Sequence, residues 1–137
     1  MDLMQASESI VALIGRIGLS LLFILGGWGK LLAPAATQAM LAGHNLPMVE
    51  LGWAIAVELG GGLAILFGLF TRPVGLVLAI GCVVTALIAH TNFADRNQEI
   101  QVLKNMAMAG GFLYVMLLGA GAWSLDGWRA RGRRAAA

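Results

Sequence analysis

One carboxylate, Glu58, stands near the middle of an apolar run between two prolines, PMVELGWAIAVELGGGLAILFGLFTRP, residues 47–73. Five more polar side chains lie in or beside apolar segments: Arg16, Lys30, His90, Lys104 and Asn105. An ionised carboxylate at mid-bilayer costs roughly 3 kcal/mol on insertion scales and more in simulation, so such a group is protonated, paired or faces an internal cavity. An acid, several cations and an imidazole can together hydrogen-bond a ligand carbonyl, relay protons, or complement a small anion. Other chemistry is poorly provided for. The single Cys82 permits no intrachain disulfide, and the chain has neither a CxxCH haem motif nor a cysteine cluster for iron and sulfur. The methionines lack the clustering of a soft-metal site, so no metal centre is expected.

The elements that position these residues read as membrane helices. The chain has 137 residues, 59% hydrophobic and 12% charged, with a mean hydropathy of +0.83, far more apolar than a soluble domain. The expected fold is all-α, an integral membrane bundle of four transmembrane helices at about 10–32, 48–70, 74–90 and 101–122, forming one domain over 1–137. On the first helix Arg16, Ser20, Phe23, Gly27 and Lys30 share a stripe, and Gly26, Gly27 and Gly29 beside it would admit a close neighbour. On the second, Leu51, Ala54, Ile55, Glu58, Gly61, Gly62 and Ile65 share a face that is thin enough to pack tightly. Ala79, Val83, Ala86 and His90 align on the third, and Lys104, Met108, Gly111 and Val115 on the fourth. The segment APAATQAMLAGHNLP is too short to span, and His44 in it reads as a loop histidine. Residues 69–73 read as a tight hairpin, and Asp95, Arg96 and Glu99 as an exposed loop.

Charge sets the orientation. The N-terminus carries Asp2 and Glu8 with no basic residue before the apolar run, unlike a secretory signal, so the first helix is expected to be retained. Arg129, Arg131, Arg133 and Arg134 form a basic tail, 129–137, which with Arg72 is expected in the cytoplasm together with both termini. That cluster is read as a topology signal, and no nucleic-acid partner is expected. Trp28 and Trp53 then fall at the outer boundary and Trp123 and Trp128 at the inner one. Stacking the helices at about 1.5 Å per residue puts Glu58 near the midplane, with Lys30, His90, Lys104 and Asn105 roughly 10 to 14 Å above it. The expectation is an outward-opening polar pocket with Glu58 as its floor and Arg16 closing it from beneath, long enough to reach toward Glu58.

Several of these stretches resemble the DoxX family of small four-helix membrane proteins. They are RIGLSLLFILGGWGKL, the GHNLP before helix two, the ELGGG holding Glu58, the FGLFTRPVG hairpin, and the region from His90 to the LKN that ends at Asn105. The order and spacing of these pieces along nearly the whole chain carry the resemblance. It implies a bacterial or archaeal cytoplasmic-membrane protein with relatives in quinone-dependent sulfur oxidation and membrane-attached redox assemblies. It also implies that Arg16, Lys30, Glu58, His90, Lys104 and Asn105 match recurring polar positions.

Three functions compete on this reading. One is a redox-associated subunit that holds a quinone and serves a partner oxidoreductase, the chain alone being no complete enzyme. Another is a carrier or binding module for a small anionic or amphipathic compound, with Arg16, Lys30 and Lys104 as its charge complement. The last is a non-catalytic scaffold whose glycine-rich faces anchor a partner. The long apolar perimeter of only four helices also suggests self-association.

Overall fold

The computed structural model describes residues 3–43, 49–90 and 92–136. His44, Pro47 and Thr91 lie outside it, as do the side chains of Glu50 and Trp53. Among the described residues the regular structure is all helical. In order, the elements are α1 (Leu3–Leu32), α2 (Pro34–Gly43), α3 (Val49–Ile55), a π-helical turn (Ala56–Gly60), α4 (Gly61–Phe67), α5 (Thr71–Ala89), α6 (Arg96–Leu118) and α7 (Leu125–Ala135).

Three helical stretches are long and apolar enough to cross a membrane: Ala6–Leu32, Thr71–Ala89 and Arg96–Leu118. A shorter apolar stretch, Ala56–Phe67, accompanies them. Large apolar side chains such as Leu25, Ile80, Leu87 and Leu117 point outward and are exposed. A soluble protein does not display apolar surface on this scale, whereas a bilayer would cover it.

The ends of the helices have local causes. Pro34 ends α1 and occupies the first position of α2, where its missing N–H costs nothing. The α4 helix closes in a Schellman motif: the Leu69 N–H donates to the Ala64 carbonyl (2.8 Å) and the Gly68 N–H to that of Ile65 (3.1 Å). Gly68 takes the left-handed conformation this requires, φ +65°, and Phe70 is left-handed too, φ 47°. The hairpin therefore turns at 68–70, and α5 starts at Thr71, three residues before its expected start. The fourth long helix begins five residues early, because Asp95 caps it by accepting from the Asn97 N–H at 2.9 Å. Arg96 and Glu99, expected in a loop, are in its first turn. This helix stops at Leu118 before Gly119, φ 83°, four residues short of the expected end. The basic tail is ordered as well: Ser124 caps α7 by accepting from the Gly127 N–H at 3.0 Å.

The α5 and α6 helices pack along their length, and α1 packs on α3, the π-turn and α4. Glycine lets these backbones meet. A Cβ on Gly27 would stand 3.1 Å from the Leu59 nitrogen, and one on Gly75 would stand 3.1 Å from the Phe112 carbonyl. The small buried core joins Ile65, Leu78, Ala79, Cys82, Ala109 and Phe112. Phe23 meets Phe112 edge to face, with ring centroids 5.1 Å apart.

Candidate functional site

Glu58 is at the centre of the π-turn AVELG. Such a turn adds a residue to the helix and so re-aims the side chain it carries, and π-turns occur frequently at functional sites. Here the carboxylate is turned toward α1. Its Oε1 accepts a hydrogen bond from Lys30 Nζ, forming an ion pair with both side chains about a quarter exposed, 25% and 23%. The other oxygen, Oε2, is buried with no hydrogen-bond partner among the described residues. It rests on Gly26, where a Cβ would stand 3.3 Å from it.

This pair borders a partly open cavity of about 450 Å³ lined by residues of α1, α2, α3, the π-turn, α5 and α6. Phe23, Val57, Leu78 and Met108 give it apolar walls, while Lys30, Glu58, His90, Lys104 and Asn105 supply its polar groups. Asn105 is 7% exposed, and its Nδ2 donates to the Gln101 carbonyl at 2.9 Å. His90 ends α5, and its Nδ1 lies 3.1 Å from Gln98 Oε1, a contact that orients the ring. Five of the six residues singled out in the sequence thus meet in one cavity.

Arg16 does not join them. Its Nη1 donates to the carbonyls of Leu66 (2.9 Å) and Ile65 (3.3 Å), and its Nη2 to that of Trp123. The expected reach toward Glu58 is therefore replaced by a different task. The Schellman bonds serve the carbonyls of Ala64 and Ile65 but not that of Leu66, and the end of α4 carries the negative pole of the helix dipole; the guanidinium answers both. Glu58 lies at least seven residues back along that helix, roughly 10 Å away at about 1.5 Å per residue. Arg16 is 2% exposed and borders a separate cavity of about 290 Å³ between α1 and α6.

The opposite end of the hairpin has a matching device. Asp126, from α7, accepts from the Phe70 N–H (3.0 Å), the Thr71 N–H (2.8 Å) and the Thr71 hydroxyl (2.8 Å). It thereby caps α5 from outside that helix. Burial alone would raise the Asp126 pKa, but these hydrogen bonds and the nearby Arg129 charge outweigh it and hold the carboxyl below its ordinary value.

Sequence reasoning did not single out Gln101, Thr85 and Thr37, which also line the larger cavity, nor assign Cys82 to it. A signal existed for three of these, since Gln101, Lys104, Asn105 and Met108 recur at helical spacing, as do Cys82, Thr85 and Ala89. Chemically, the site couples a carboxylate–ammonium pair to a largely apolar chamber with an oriented imidazole and a buried amide. Such a chamber can hold a small molecule with an apolar body and a polar head, and its acid and base groups can exchange protons with that head.

Comparison with known proteins agrees with the membrane reading. Over 123 residues the chain is 40% identical to "Inner membrane protein YqjF" of Escherichia coli (strain K12), covering 90% of this chain and 95% of that protein. It is 34% identical over 128 residues to "Inner membrane protein YphA" of the same organism, covering 88% and 91%. No solved structure matches significantly. With its apolar helices, the chain is a multi-pass protein of the inner membrane. The DoxX family model matches residues 11–91, more than half of the chain and including Lys30, Glu58 and His90, and the protein belongs to the DoxX family.

Proposed function

We propose that the protein is a binding component of the inner membrane whose cavity takes the head group of a quinone, and that it serves a partner oxidoreductase as a quinone-linked subunit. The observation that carries this reading is the Lys30–Glu58 ion pair facing an apolar cavity of about 450 Å³. In this reading Lys30 and His90 present donors to the quinone oxygens, Glu58 takes up or returns a proton, and the apolar walls hold the ring. Electrons come from the partner.

The same reading makes four crossings. Val49–Phe67 runs as one helix through its π-turn and extends about 28 Å at about 1.5 Å per residue, close to the thickness of a hydrocarbon core. Both termini then lie in the cytoplasm with the Arg-rich α7, and the cavity opens on the other face.

Titration of the reconstituted protein with a short-chain quinone, followed by intrinsic tryptophan fluorescence, tests the reading. Saturable quenching is expected in the wild type, with affinity reduced about tenfold or more in Glu58→Gln and Lys30→Met, the loss expected from one or two kcal/mol of hydrogen bonding. Unsaturable quenching, or the same affinity in all three proteins, would overturn it.

A further inference from the structure

The α7 helix is absorbed neither by the cavity nor by the packing of the bundle. It buries none of its residues, yet it is held firmly at its start. Asp126 bonds Phe70 and Thr71, the Asp126 N–H donates to the Gly68 carbonyl at 2.9 Å, and Arg131 Nη1 donates to the Ala122 carbonyl at 2.8 Å. The helix is therefore fixed relative to the end of the bundle where α4 turns into α5.

Its surface is sorted by chemistry. At about 100° per residue Leu125, Trp128, Gly132 and Ala135 share one stripe, with Arg129 and Arg131 on its two flanks and Arg133 and Arg134 on the back of the helix. Trp128 is 67% exposed and Leu125 41%, and Phe70 and Trp123 beside them are exposed as well. The one acid of the helix, Asp126, is directed inward onto Phe70 and Thr71, so the outward charge is entirely basic. Arg72 adds another exposed cation at the same end, close to Gly119.

An apolar stripe that carries a tryptophan, flanked by arginines, is the pattern of a helix lying in a membrane interface and attracted to negative lipid. A free soluble partner would not explain why the stripe is level with Phe70 and Trp123 at the end of the apolar bundle. From this we infer that α7 is an anionic-phospholipid site: Trp128 and Leu125 enter the headgroup boundary, and Arg129, Arg131, Arg133 and Arg134 bind lipid phosphates such as those of phosphatidylglycerol.

The full-length protein, reconstituted in mixed phosphatidylglycerol and phosphatidylcholine bilayers, tests this through quenching by brominated acyl chains placed on one lipid or the other. Trp128→Phe identifies the emission that belongs to Trp128. Brominated phosphatidylglycerol should quench that emission about twofold more than brominated phosphatidylcholine at equal mole fraction, a preference that about 1 M salt should abolish. Arg133→Gln with Arg134→Gln, two exposed side chains, should reduce the preference without disturbing the fold, and Arg→Lys at the same positions should retain it. Equal quenching by the two lipids, no quenching of Trp128 by either, or an unchanged preference in the paired glutamine variant would each overturn the inference.

Discussion

Lys30 and Glu58 pair at the wall of the larger cavity, and breaking that pair should have a measurable cost. Lys30→Met leaves the Glu58 carboxylate without its donor and should destabilise the folded protein by about 2 kcal/mol. That is less than the roughly 3–5 kcal/mol of a fully buried pair, because each side chain keeps about a quarter of its surface exposed. Adding Glu58→Gln to Lys30→Met should recover part of the loss, and a double-mutant cycle by thermal unfolding in nanodiscs would read the coupling. The polar positions themselves were legible in the sequence, since Glu58, Lys30 and His90 are conspicuous in so apolar a chain. Which cation answers Glu58 was not. The sequence reading set Arg16 several Å beneath Glu58 and within reach of it, whereas its two terminal nitrogens donate to the carbonyls of Ile65, Leu66 and Trp123.

The α4–α5 hairpin is held by opposite charges at its two open helix ends, Arg16 on the carbonyl end and Asp126 on the N–H end. Asp126→Asn should cost about 1–2 kcal/mol, as the loss of a good N-terminal cap does. Because the folded-state pKa of Asp126 lies below its unfolded value, its contribution is complete above that unfolded value, about 3.9, and disappears as pH falls through the lower folded one. Acid titration of unfolding should therefore show a loss of stability below about pH 4 in the wild type that is reduced in Asp126→Asn. Gly68→Ala should be worse, by about 3 kcal/mol, since it combines a left-handed backbone with overpacking. The added Cβ would stand 2.6 Å from Arg16 Nη1 and 2.9 Å from the Ala120 Cβ. Of this hairpin the sequence announced the break, through GLFTRP, but not the cap, which comes from a residue 55 positions away. The π-turn at Ala56–Gly60 was equally hidden. Its composition is that of an ordinary α-helix, and nothing in it marks where Leu59 comes to meet Gly27 on α1.

At the scale of the molecule, the apolar composition and the helical periods made an all-α membrane protein legible, because lipid leaves helices and closed barrels as the spanning solutions. The ordering of α7 was not legible, since four arginines in a short segment read only as a basic tail that sets topology, until Asp126 and Ser124 are seen to anchor and cap it. Four crossings require both termini on one side. Reporter fusions at Met1 and Ala137 should therefore both report cytoplasm, and one between Pro34 and Gly43 the opposite face. Opposite signals from the two termini would leave three crossings instead. If Lys30 and Glu58 make the cavity a binding site, native mass spectrometry of protein extracted from its own membrane should reveal the occupant. A retained amphipathic molecule of constant mass in the wild type, lost from Glu58→Gln, is the predicted result. An empty wild type, or a molecule retained equally by both proteins, would contradict it.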